Sequence, residues 1–165
     1  MSFRNDLSLA LASLKGLSSA TPSPITLHNA GGMTLRIDFT VVDSLSCAFR
    51  EMTLEVPGLQ TAAFATLETW ARNLSQRITY LLEQIGPLEL DPTNGEVLIR
   101  STPPDQLPDG TQYYEIMLSQ QSGAFVLKRY KSIKGTPGRT QVDLQVTHEV
   151  LFKLVDDLEA TAPTP

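Results

Sequence analysis

The sequence predicts an α+β protein in which antiparallel strands are segregated from helices. Apolar residues between Ile25 and Val56 recur with a period of two, the pattern of strands that bury one face. Stretches around Leu7, Phe64 and Val150 recur instead at helical spacing. Glycine, proline, asparagine and serine clusters separate successive strands by a few residues, which favours hairpins over crossover connections. The expected order is α-β-β-β-α-β-β-β-β-α, an antiparallel sheet with a long central amphipathic helix. The 165 residues predict a single domain over 1–165.

Leu7, Ala10, Leu11, Leu14 and Leu17 give the first helix its apolar stripe, with Ser2 able to cap its start and Gly16 able to end it. The run from Leu7 to Leu14 lies between Asp6 and Lys15, so it reads as an amphipathic helix rather than a secretory leader. Residues 17–24, rich in Ser, Thr, Ala and Pro, read as a connector. Ile25 and Leu27 make a short strand, and Asn29-Ala30-Gly31-Gly32 a turn. Met33, Leu35, Ile37, Phe39 and Val41 then alternate with polar residues in the clearest half-buried strand. In its partner, Leu45, Cys47 and Phe49 share one phase, and Met52, Leu54 and Val56 the other. If both sets face one core, a bulge must sit near Arg50-Glu51.

The longest periodic segment follows. Phe64, Leu67, Trp70, Ala71, Leu74, Ile78, Leu81, Leu82 and Ile85 fall on one helical stripe, with Glu68, Arg72, Arg77 and Glu83 among the residues opposite. The spacing predicts a helix from about Thr61 to Ile85, stopped by Gly86-Pro87. Four strands are expected next, at Glu96–Ser101, Gln112–Ser119, Ala124–Lys131 and Gln141–Val146, with loops at Thr102–Gly110, Gln120–Gly123 and Lys134–Arg139. Thr147 can cap a last helix with Val150, Leu151, Leu154, Val155 and Leu158 as its stripe, and residues 160–165 form a loose tail.

The net charge of −5 disfavours non-specific binding to nucleic acid or anionic membranes. No apolar run approaches the ~20 residues that span a bilayer, so no membrane partner is expected. A lone cysteine, Cys47, excludes an internal disulfide and favours a reducing, cytoplasmic compartment.

No catalytic, cofactor or metal site is expected. Cys47 sits among apolar neighbours, where a thiol is a small hydrophobe rather than a nucleophile. His28 and His148 are the only histidines and carry no ligand spacing around them. Lys134-Gly135-Thr136-Pro137-Gly138 lacks the order of a phosphate loop, and Gly31-Gly32 opens a strand, not a helix. Asp156, Asp157 and Glu159 read as a solvated end of the last helix. The most unusual segment holds Lys128, Arg129, Lys131, Lys134 and Arg139, a stretch without an acid and with Tyr130 interleaved. It is a possible contact for an anion or an acidic partner. Alternation sends Lys128 and Tyr130 to one face and Arg129 and Lys131 to the other, which favours charges that keep an exposed edge strand from aggregating.

In element order, size and acidity, the chain from Leu7 to Leu158 resembles type III secretion chaperones. The resemblance implies a cytoplasmic homodimer, not an enzyme, that holds a partly unfolded protein along its surface. It carries no motif residue by residue, and the fourth late strand and the basic region depart from the family's order. The expected function is therefore a non-enzymatic, chaperone-like adaptor with a protein partner. The alternative is an enzyme or small-ligand binder whose site is assembled from scattered residues. Nucleic-acid binding through the basic strand is the third reading and is not expected.

Overall fold

The computed structural model describes residues 2–81, 84–102 and 105–164. They form α1 (Phe3–Leu14), β1 (Ser18–His28), β2 (Thr34–Val42), β3 (Ser46–Glu55), a 3-10 turn (Leu59–Thr61), α2 (Phe64–Arg77), β4 (Gln84–Asp91), β5 (Glu96–Thr102), β6 (Asp105–Leu107), β7 (Gly110–Ser119), β8 (Ala124–Ile133), β9 (Thr140–Val142), β10 (Leu144–Thr147) and α3 (His148–Thr161). The α+β class and the order of helices around the strands agree with the sequence. The strands form one antiparallel sheet in the order β1-β2-β3-β8-β7-β5-β4, with β10 also paired to β3, β9 to β8 and β6 to β7.

One core lies between the sheet and the helices. Leu35, Ile37 and Phe39 of β2, Ile116 and Leu118 of β7, and Phe125 and Leu127 of β8 are buried in it together with Leu7, Trp70 and Leu154 of the helices. Trp70 packs on Phe125 with ring centroids 6.2 Å apart, and its indole N–H donates to Thr161 Oγ1 at 3.2 Å. Thr147 caps α3 as its position suggests, its hydroxyl accepting from the Val150 amide. The Asn29–Gly32 turn closes with Gly32 at φ +81°, a conformation glycine adopts without strain.

The expected helix over Thr61–Ile85 is shorter: α2 ends at Arg77. Ile78-Thr79-Tyr80 places two β-branched residues and an aromatic in a row, all of lower helix propensity than Gln76 and Arg77 before them. Ile78 and Leu81 are still buried, so the apolar pattern persists while the backbone changes conformation. Gly86-Pro87, read as a helix stop, lies within β4, where the pairing shifts register between Ile85 and Leu88. An edge strand with an irregular register tolerates a proline. Leu82 and Glu83 lie outside the described residues.

The connector at 17–24 is instead the first half of β1, an edge strand. Pro22 and Pro24 obscure it in the sequence, yet its register slips between Ser18 and Ser23, the kind of irregular edge where proline does no harm. The Thr102–Gly110 loop contains β6, paired to β7. The strand expected over Gln141–Val146 is two strands, broken at Asp143. Ala160 and Thr161, assigned to the tail, complete α3. Leu45 does not face the core; it is 78% exposed in the β2–β3 turn.

The bulge expected at Arg50-Glu51 is present. Ile37 pairs with Met52 and Phe39 with Phe49, so Arg50 and Glu51 together oppose Asp38. A second shift follows at Thr40, between the Phe39–Phe49 and Val41–Ala48 pairs. No helix among the described residues is long and apolar enough to cross a membrane.

Candidate functional site

The bulge creates a fork in the sheet. Beyond the Met52–Leu127 pair, β3 and β8 part: β3 continues beside β10 and β8 continues beside β9. The chain enters the fork along β8 and leaves it along β3, crossing at Asp143. Arg50, at the bulge, holds that crossing. Its Nη1 donates to the Gln141 carbonyl at 2.9 Å, and Gln141 Nε2 donates back to the Arg50 carbonyl at 2.9 Å. Arg50 Nε is 3.3 Å from Asp143 Oδ1, an ion pair without hydrogen-bond alignment. The buried Thr40 hydroxyl donates to Asp143 Oδ2 at 2.7 Å. Both register shifts therefore place polar side chains at one point, which regular β2 and β3 alternation would have separated.

A cleft of about 620 Å³ opens at the fork. Its floor is Tyr114, whose ring lies 4.2 Å from the guanidinium of Arg129. Arg129 Nε donates to Gln112 Oε1 at 3.2 Å. Arg50, Gln141, Asp143 and Gln145 complete its polar walls. The hydrogen bonds given above use only part of this polarity. The other N–H groups of Arg50, the amide NH₂ of Gln112 and the whole amide of Gln145 have no protein partner among the described residues. A second hollow, about 380 Å³, follows along β10 and shares Gln145, with Val41, Ala48, Val146 and Thr147 on its walls.

The backbone of β10 adds further donors and acceptors. The His148 amide donates to the Leu45 carbonyl at 2.9 Å, one step past the Thr147–Ser46 pair. Hydrogen-bonded pairs alternate along an antiparallel ladder, so Val146–Cys47 and Leu144–Phe49 are the bonded pairs. The N–H and C=O of Gln145 and Thr147 accordingly point away from β3. Among the described residues no strand pairs with that side of β10, and both residues are exposed.

The basic segment is dispersed by the same geometry. β8 is an interior strand, paired to β3, β9 and β7, not the exposed edge expected. Of Lys128, Arg129, Lys131, Lys134 and Arg139, only Arg129 lines the cleft. Lys128 pairs with Glu51 at 3.3 Å and Lys131 with Asp109 at 3.4 Å. Arg139 stacks over Tyr130 at 3.7 Å and binds the nearly buried Glu115, which also meets Arg100 at 3.4 Å. The bond to Glu115 holds the Arg139 guanidinium charged well above its ordinary range. Lys134 stands in the exposed loop, with no ion pair among the described residues.

The remaining candidates are buried or hydrogen-bonded within the protein. Cys47 is buried, and burial, with the charge of Asp43 added, pushes its thiol up to about 12. His148 meets the Ser46 carbonyl at 3.1 Å and His28 the Thr34 hydroxyl at 3.1 Å. The acids closing α3 are tethers rather than a free solvated end: Asp156 binds Arg4, Asp157 binds Tyr80 and Arg77, and Glu159 accepts from the Phe3 amide and from Asn29. Among the described residues no group of three or more His, Cys, Asp and Glu is placed to hold a metal ion. Sequence reading missed Arg50, Thr40, Gln112, Asp143 and Gln145. The phase slip located Arg50 at a bulge, but Val142, Leu144 and Val146 alternate without interruption and conceal the crossing at Asp143. No protein-family model, no curated protein and no solved structure matches the chain.

Proposed function

We propose that the protein is a non-enzymatic, chaperone-like adaptor that holds an extended segment of a partner protein along β10. The observation that carries this reading is the free edge of β10, where Gln145 and Thr147 turn their backbone donors and acceptors away from β3. An extended chain satisfies such an edge by adding one strand to the sheet. The hollows that share Gln145 give successive side chains of that strand places to sit. The order of helices and strands, and the acidity that underlies the resemblance to type III secretion chaperones, fit the same role. A homodimer and a cytoplasmic setting belong to this proposal. Light scattering on the eluting protein should then give about twice 18.1 kDa.

The test is a displayed peptide library panned on the immobilised protein, with Gln145→Pro as the comparison. Proline at 145 removes the outward N–H and the side-chain amide but breaks no bond to β3, so the fold should persist while peptide retention is lost. A photoreactive residue at Gln145 should cross-link retained peptides, and one at Asn94, in the β4–β5 turn, should not. Retention by Gln145→Pro equal to that of the parent protein would overturn the reading.

A further inference from the structure

We infer that two copies of the chain join where α1, α3 and the β2–β3 turn meet, each seating Leu45 in a hollow of the other. This rests on the homodimer that belongs to the adaptor reading and names the surface that forms it.

Leu45 is the most exposed of the large apolar side chains among the described residues. The turn that carries it is nonetheless ordered by the main chain. The Leu45 carbonyl accepts from the His148 amide at 2.9 Å, and the Asp43 amide donates to the Ser46 carbonyl at 3.0 Å. Covering Leu45 therefore removes apolar surface from water without first ordering a loop. Beside the turn lies a hollow of about 250 Å³, between Leu11 and Ala12 of α1 and Phe152 of α3, with Lys15, Asp43 and His148 at its rim. A cavity of roughly 150 Å³ admits benzene, so this one has room for a leucine side chain. It is smaller than the ~300 Å³ at which small-molecule sites begin.

A knob and a hollow thus adjoin on one surface of the same chain. That is what an isologous contact requires, because a twofold axis makes each copy supply both halves. A partner of unrelated sequence would use one half and leave the other bare. Charge follows the same pattern. The turn bears Asp43, the α1 side of the hollow bears Lys15, and neither has an ion pair among the described residues. Seating the turn of one copy against α1 of the other brings Asp43 to Lys15 twice. Both side chains are exposed, so these pairs select the orientation more than they add affinity. Leu9, the second most exposed large apolar residue, shares an uncharged outward side of α1 with Asn5 and Ala12 and widens the contact.

The experiment is light scattering on the full chain across a range of protein concentrations. The parent should be a dimer, and Leu45→Asp should raise its dissociation constant about tenfold or more while the circular dichroism spectrum stays the same. Ile133→Asp, at an exposed apolar residue elsewhere, should leave the dimer in place. Lys15→Asp and Asp43→Lys should each weaken the dimer, since each puts like charges across the twofold. Mixing those two variants should restore it, because each copy then meets opposite charges at both contacts. A dimer that survives Leu45→Asp would overturn this surface and leave the homodimer intact. A mixture no tighter than its separate components would overturn the Asp43–Lys15 exchange and the orientation with it. A parent that is monomeric at every concentration would overturn both the surface and the homodimer. Loss of a library peptide on Leu45→Asp, with the parent a monomer, would make the hollow a peptide site and also overturn the self-contact.

Discussion

At the scale of single residues, the fork depends on side chains whose roles come from backbone irregularity rather than from any motif. Thr40 is buried beside a register shift, and its hydroxyl is the hydrogen-bond donor to Asp143. Thr40→Val keeps the shape and removes the donor, leaving a carboxylate oxygen without a partner. Urea unfolding should show a loss of about 1–3 kcal/mol. Gly110 is set by close approach: a Cβ there would lie 1.9 Å from the Ser132 carbonyl oxygen, a main-chain atom that cannot swing aside. Gly110→Ala should cost at least about 2 kcal/mol by the same measurement. Cys47, with its thiol raised to about 12 and its side chain buried, should resist iodoacetamide at neutral pH until the protein unfolds. The burial of Cys47 was legible in its apolar neighbours. The importance of Thr40 and Asp143 was not, because each occupies what looks like an ordinary outward-facing position in an alternating strand.

At the scale of elements, α2 shows where periodicity and propensity diverge. Its stripe from Leu67 to Leu74 is buried as the spacing predicts, and Leu74→Ala should cost about 2–5 kcal/mol in denaturant. The stripe continues through Ile78 and Leu81 although the helix does not, because burial selects apolar residues in either conformation. Tyr80 then joins the end of α2 to α3 through its hydroxyl, which donates to Asp157 at 2.7 Å. Burial first, and that bond second, raise its pKa well above the ordinary tyrosine range. A raised folded-state pKa favours the protonated form, so this contribution is complete below pH ~10, where an unfolded tyrosine keeps its proton. It is lost as pH rises beyond that, and Tyr80→Phe should flatten the alkaline limb of a stability–pH curve. Strands at the edges were harder to read than helices. β1 hides behind two prolines, and β9 and β10 behind a continuous period of two. The bulge at Arg50-Glu51 was legible because a bulge changes the phase of buried residues, whereas the corner at Asp143 changes only the neighbour.

At the scale of the whole molecule, helices cover one face of the sheet, several charges on the other face are paired, and one edge of β10 has no strand partner among the described residues. Glu89, Arg100, Glu115 and Arg139 run across the outer face as alternating partners, so Arg139 of the basic segment meets a carboxylate within the protein. In the adaptor proposal the incoming chain adds at the fork, beside β10, and not at the edge strands β1 and β4. Amide hydrogen exchange with a peptide retained from the displayed library measures this directly. In the free protein the Gln145 and Thr147 amides should exchange rapidly while the Val146 amide, bonded to β3, is protected. With peptide bound, Gln145 and Thr147 should become protected as well. Peptide binding that leaves both amides exchanging at their free rates would contradict strand addition at β10.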